Sequence, residues 1–346
     1  MSPRRATTAH PQQGDVASLS PPAVRPLSCP LQPAISPHAD EAQRLLGEWL
    51  QARGPAWDDE RRRRFTRIGF ARYAARLYPD ADLATLLAVS ALFAWFFLLD
   101  DTADSATTPD IARLRRMLAD CLAVLRRSPA RSRAAASQGL PGLLAQTWQV
   151  PAATMPRSWR ERFADAVEHH LDGVLAEARA KALGVRPGVE AYVRLRRATS
   201  AAYVAHVLTE FATRAPLPGS VHGHPAVQAY STAGNDLLSW FNDLLSLGRD
   251  EATSGGHNLV LALAAEHRVS TAEAVELAVA KWQALMDSYA GLRAAVPSFG
   301  RELDASVEHY LTGVDRSVRG TIDWSLESIR YQPPPLIAPY LTMTPT

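Results

Sequence analysis

Cysteine is nearly missing from this chain of 346 residues: Cys29 and Cys121 are the only two, one in an irregular N-terminal stretch and one on an apolar helical stripe. So few thiols exclude a disulfide framework and a cysteine zinc site, and they fit a reducing compartment, so a cytoplasmic location is expected. An excess of charge of one sign is lacking too. The 37 lysines and arginines nearly balance the 35 aspartates and glutamates. The one strong basic run, Arg61 to Arg64, follows Asp58, Asp59 and Glu60 as on a solvated helix face, so no nucleic-acid partner is expected. No apolar core follows Arg4 and Arg5, and no export signal is read there. Alternating apolar and polar runs between turn residues are also absent, which removes any reason to expect strands.

What is present is helix. Apolar residues make up 47% of the chain, ample for a buried core. Helical patterns cover 62–78, 83–101, 109–127, 156–182, 187–211, 225–249, 271–295 and 302–331. Pro129, Gly139, Pro141, Gly184, Pro216, Pro218, Gly255 and Pro297 fall between them. Ser36 and Pro37 read as an N-cap and first helical residue ahead of the stripe Ala42, Leu45, Leu46, Trp49, Leu50. Before them, seven prolines among Ser, Ala and Gln make residues 1–36 a disordered arm. The expected organisation is an all-α, single-domain helical bundle over 37–335, with a C-terminal tail at 336–346.

The most informative stretch is Leu83 to Asp104, where seventeen uncharged residues run into Asp100, Asp101 and Asp104. The run is just long enough to span a membrane. It is flanked by Asp82 and Asp100 rather than by basic anchors, so a buried helix is expected instead. On such a helix Asp100 and Asp104 share a face with Phe96, Phe93 and Val89. Adjacent carboxylates repel, and no cation lies within the motif, so an oxygen-seeking divalent ion is a natural partner. The same aspartates would also serve simply to end a buried helix.

A second cluster lies in 225–249, where NDLLS occurs at 235–239 and again at 242–246. Seven residues are almost two turns, so both copies face one way. In the second copy Asn242, Ser246 and Asp250 recur every four residues and set an amide oxygen, a hydroxyl and a carboxylate along one edge. The plainer reading is local hydrogen bonding on a polar face.

Together these residues resemble the class I terpene synthase family of bacteria. Asp100-Asp101-Thr-Ala-Asp104 looks like its DDxxD motif, and Asn242, Ser246 and Asp250 look like its NSE triad. Arg196, 46 residues before Asn242, stands where the family places a diphosphate-sensing arginine, with Thr199 and Ser200 near the linker and effector positions. Arg330-Tyr331 resembles the RY pair that grips the diphosphate, and the likeness runs from about residue 36 to 331.

Two departures stand out. Asp250 replaces the usual glutamate, with Glu251 beside it and Gly248 able to kink the helix, so either acid is open as the third ligand. The effector is Ser200 or Ala201 where glycine is usual, and Asn235, Ser239 and Asp243 form a competing frame. The frame at 242 agrees better with Arg196, Arg249 and Arg330.

The resemblance implies a central cavity in the terpenoid synthase fold and three Mg²⁺ ions on the two acidic helices. Arg196, Arg249, Arg330 and the Tyr331 hydroxyl would bind the diphosphate of a small-molecule prenyl substrate. Phe93 and Phe96 would face the carbocation, with Trp324 a weaker choice, and the departed diphosphate would take the final proton. Farnesyl diphosphate is the first choice of substrate, giving a sesquiterpene; geranylgeranyl and then geranyl diphosphate follow. A homodimer is left open. A chain-elongating prenyltransferase would carry a second aspartate-rich motif in place of NDLLSLGRD, and a catalytically silent metal or partner binder is the reading from a different class.

Overall fold

A computed structural model describes residues 26–54, 58–104, 110–127, 139–252, 257–331 and 335–341. Fifteen α-helices occur among the described residues, and no strand. They are α1 Ala39–Arg53, α2 Asp59–Ile68, α3 Phe70–Leu77, α4 Leu83–Asp104, α5 Ile111–Arg126, α6 Gly139–Thr147, α7 Gln149–Thr154 and α8 Arg157–Ala182. The second half holds α9 Val189–Thr199, α10 Ala202–Ala212, α11 Gly219–His222, α12 Pro225–Ala252, α13 Leu259–His267, α14 Thr271–Ala294 and α15 Arg301–Glu327.

The expected uncharged run forms α4, and Asp82 starts it by accepting the Thr85 amide at 2.8 Å. By length and composition α4 could cross a membrane, but 67% of that stretch is buried inside the protein, as a central core helix should be. Its Leu, Phe and Trp side chains join α1, α3, α5, α6 and α8 in one apolar cluster. A second cluster gathers α12, α13, α14 and α15. Where the two meet, α12, α15 and α10 face α3 and α4 across a cavity.

Several boundaries differ from the periodic reading. The expected helix over 62–78 breaks at Gly69, whose φ of +82° no ordinary helical residue adopts. Ending α2 at Ile68 frees its carbonyl, which accepts both Trp324 Nε1 and Ser328 Oγ at 3.1 Å. The expected helix over 187–211 breaks at Ala201, left-handed at φ +58°. The last helix ends at Glu327, leaving Arg330 and Tyr331 in the turn beyond it. Short helices α6, α7, α11 and α13 fill stretches expected to connect.

Residues 1–25 of the expected N-terminal arm lie outside the described part. Residues 26–36 are described, and they form neither helix nor strand. Leu27 and Cys29 are buried, the Leu27 amide donates to the Tyr340 carbonyl at 2.9 Å, and Arg319 donates to the Leu31 carbonyl at 2.9 Å. Prolines bar a helix here but not an extended chain held through its backbone. The tail is tied down likewise, with Ile337 and Tyr340 buried. Helix α1 starts at Ala39, and Ser36 Oγ accepts the His38 amide at 3.2 Å, closing the turn that enters it.

Candidate functional site

The cavity is a concave pocket between the two clusters, lined mainly by apolar side chains with a few convergent polar groups, the usual make-up of a small-molecule site. Its inner wall is aromatic and aliphatic. Phe93 and Phe96 from α4 line it, and Trp324 does too. Tyr73 and Phe97, not singled out from sequence, complete the aromatic wall: Tyr73 stacks on Trp324 at 4.3 Å between centroids and packs against Phe93 at 5.2 Å. Phe97 stood next to Phe96 in the same run, a signal passed over; Tyr73 offered none.

The mouth is polar. Asp100 ends the α4 stripe there, opposite Asn242 of α12 and beside Arg196, Arg249, Arg330 and Tyr331. Arg330 donates from one Nη to Asp100 Oδ2 at 3.3 Å and approaches Asp101 at 3.7 Å. Its guanidinium lies 4.9 Å from the Phe97 ring centre, a cation–π contact that helps fix it. Arg330 Nε is buried without a partner, so this arginine retains a donor for an anion. Asp101 is exposed on the outer side of α4, and the side chain of Asp104 lies outside the described part.

Asn242, Ser246 and Asp250 of α12 are each hydrogen-bonded. Asn242 Oδ1 accepts from Arg196 at 3.0 Å while its Nδ2 donates to the Tyr331 hydroxyl at 2.7 Å. One turn on, Ser246 Oγ donates to Asp250 Oδ2 at 2.6 Å, and Asn258 Nδ2 donates to the same oxygen at 2.9 Å. Asp250 therefore shares the Ser246 edge, whereas Glu251 is exposed. Arg249 turns back to the mouth and reaches Asp250 through Nε at 3.2 Å. Burial opposes its charge, but Asp250, Tyr331 and Asp100 outweigh that and raise its pKa.

The competing frame is buried and occupied. Asn235 accepts from Ser200 Oγ at 2.8 Å and donates to the Arg197 carbonyl at 2.9 Å. Ser239 donates back to the Asp236 carbonyl. Asp243 accepts from Tyr192 at 2.6 Å, Arg196 Nε at 2.8 Å and the Leu259 amide at 3.1 Å. Arg196 is thus charged in a buried place: burial alone would lower its pKa, and Asp243 raises it well above the ordinary value.

Thr199 and Ser200 line the cavity at the break between α9 and α10, together with Ala201. The Asn235 staple holds this break, aided by the Ala202 amide donating to Ser200 Oγ at 3.2 Å. A left-handed alanine costs roughly 1–2 kcal/mol, and it turns the chain so that residues 199–201 face the cavity.

Hard oxygens from two sides of one mouth suit a divalent ion. Asn242 Oδ1 and Ser246 Oγ each keep a lone pair after the bonds described, and the Asp100 and Asp250 carboxylates supply charge.

Comparison with known proteins agrees. Residues 91–288 match the model of terpene synthase family 2, C-terminal metal binding. The chain is 30% identical over 305 residues to a (+)-T-muurolol synthase of Roseiflexus castenholzii, covering 88% of this chain and 92% of that one. It is 29% identical to the 10-epi-cubebol synthase of Sorangium cellulosum, over 90% of this chain and 98% of the relative. Among solved structures, the linalool/nerolidol synthase of Streptomyces clavuligerus superposes with a TM-score of 0.75 at 25% identity, covering 86% and 99% of the two chains. A polar mouth over an aromatic cavity, in a chain that matches the family model across more than half its length, makes this protein a class I terpene synthase of the bacterial type, a lyase of a family whose domain binds metal.

Proposed function

We propose that the chain is a sesquiterpene cyclase that ionises farnesyl diphosphate with Mg²⁺, three ions being the expected complement, and closes the resulting cation into a ring. The observation that carries this reading is the polarity of the cavity, with Arg196, Arg249 and Arg330 at the mouth and Phe93, Phe96, Phe97, Tyr73 and Trp324 within. The relative from Roseiflexus castenholzii is named as cyclising (2E,6E)-farnesyl diphosphate, which favours the fifteen-carbon substrate over geranylgeranyl or geranyl diphosphate.

In this reading Asp100, Asp101 and Asp104 hold metal from α4, and Asn242, Ser246 and Asp250 hold it from α12. Mg²⁺ held by these residues would supply the positive charge that offsets the charge of the leaving diphosphate. Arg330, with its spare Nε–H, and Arg249 bind the diphosphate oxygens at the mouth. Arg196 tests for the diphosphate while Asp243 keeps it aimed, and Thr199 and Ser200 pass its position to the break at Ala201. The apolar wall excludes water and folds the chain for ring closure. Phe93 and Phe96 present ring faces worth about 0.5–2 kcal/mol each to passing cations. Asp250, bonded to Ser246, is favoured as the third triad ligand over the exposed Glu251.

Incubating the purified chain with each of the three diphosphates, then analysing extracts by gas chromatography and mass spectrometry, tests the reading. A cyclic fifteen-carbon hydrocarbon or alcohol is expected from farnesyl diphosphate. Turnover of geranylgeranyl diphosphate alone would overturn the chain length.

A further inference from the structure

One ionisable group on the inner wall is accounted for by neither acidic motif nor the arginines. His170 of α8 is 4% exposed and yet lines the cavity. Backbone approach sets its place. Gly173, three residues on and so on the same face of α8, meets the last turn of α9: a Cβ there would lie 2.6 Å from the Ala198 Cβ and 3.1 Å from its carbonyl carbon. Without that atom α9 closes on α8, and His170 Nδ1 comes to 3.1 Å from the Ala198 carbonyl.

That carbonyl is among the last four of α9, which lack an intrahelical partner, and it can only accept. Nδ1 therefore carries the proton, and Nε2 carries a lone pair. No hydrogen bond engages Nε2 among the described residues. The Phe96 ring meets the imidazole edge-on at 5.4 Å between centroids and limits its rotation. Burial lowers the His170 pKa to about 4, so the ring is neutral at ordinary pH. The other side-chain nitrogens on the described wall belong to guanidinium, amide or indole groups, which offer no basic lone pair.

We propose that His170 Nε2 is the base that ends the reaction by taking the proton lost beside the cationic carbon. This deepens the cyclase reading and rests on it. The C–H bond breaks, its electron pair forms the new carbon–carbon π bond, and the proton binds Nε2. The imidazolium then holds the Ala198 carbonyl through a charge-assisted bond at the negative end of α9. The diphosphate released in the same turnover is a polyanionic base and carries the proton out, restoring the neutral ring.

Two full-length variants test this with farnesyl diphosphate and Mg²⁺, reading products by mass spectrometry against diphosphate released. His170→Asn retains a donor for the Ala198 carbonyl, and His170→Phe retains the ring volume; circular dichroism confirms that each is folded. Because a positioned base contributes about 10²–10⁴-fold, the main alkene should fall at least roughly fivefold as a fraction of all products in both. Alkenes formed at other carbons, or alcohols from captured water, should replace it. Unchanged product fractions in a folded variant, even with a slower rate, would mean that His170 only packs. A wild type that releases diphosphate but makes no alkene overturns the assignment alone; one that releases none from any prenyl diphosphate overturns the cyclase reading with it.

Discussion

Asn242 and Tyr331 are 89 residues apart and are joined by a 2.7 Å hydrogen bond from Nδ2 to the phenolic oxygen. The bond fixes which way the amide faces. With Nδ2 committed to Tyr331 and Oδ1 accepting from Arg196, the amide oxygen is presented to the mouth in one orientation. Tyr331 is itself braced edge-on against Trp324 at 5.8 Å between centroids.

Tyr331→Phe should therefore reduce kcat/KM by roughly fivefold to tenfold, the loss of about 1 kcal/mol from one hydrogen bond, with little change in thermal midpoint. Steady-state diphosphate release checks it. An undiminished kcat/KM would mean that the amide needs no such orienting partner.

The neighbouring acids Asp250 and Glu251 should separate sharply. Asp250 accepts from Ser246 and Asn258, while Glu251 is exposed. Asp250→Asn removes a charged metal donor and should lower kcat by about 100-fold or more, with a higher Mg²⁺ requirement. Glu251→Gln should stay within about twofold. The reverse ranking would assign the third ligand to Glu251.

Ala201→Gly should stabilise the fold. The alanine is left-handed at φ +58°, and glycine relieves about 1 kcal/mol there. The thermal midpoint should rise by roughly 1–3 °C. A fall would show that the Cβ contributes more by packing than it costs in strain.

Acid should destabilise the protein well above the carboxylate range. Burial lowers His206 to about 3 and His170 to about 4 from 6.5. His206 is held neutral between Ser231 at 2.8 Å and Ser317 at 2.9 Å. The unfolded chain gains these protons near pH 6.5 and the folded chain does not, so stability is retained above that pH and lost as pH falls toward 4. Each histidine contributes a slope of about 1.4 kcal/mol per pH unit in that window. Denaturant midpoints between pH 7 and 5 read it out; a flat profile would mean that these imidazoles protonate in place.

The parts of the site that follow a helical period are legible in the sequence. Asp100 with Phe96 and Phe93, and Asn242 with Ser246 and Asp250, each lie on one edge of a single helix, and the cavity is lined by the first three and by Asn242. The groups placed by contact between helices are not legible. His170 depends on Gly173 meeting Ala198, and Tyr73 reaches the wall because the chain breaks at Gly69 after α2 and Trp324 docks on the freed Ile68 carbonyl. The second NDLLS frame is preferred already from its spacing to Arg196 and Arg330, and the fold adds that burial and the bonds to Arg196, Tyr192 and Ser200 occupy the first one.

We propose that this mouth ionises a prenyl diphosphate with metal held between α4 and α12. Diphosphate release from farnesyl diphosphate, followed in wild-type protein as Mg²⁺ is removed by chelation and then restored, tests it most directly. Release should stop on chelation and return with Mg²⁺, with Asp100→Asn impaired at every metal concentration. Release that persists in excess chelator, or a folded wild type that releases none at saturating Mg²⁺, would contradict it.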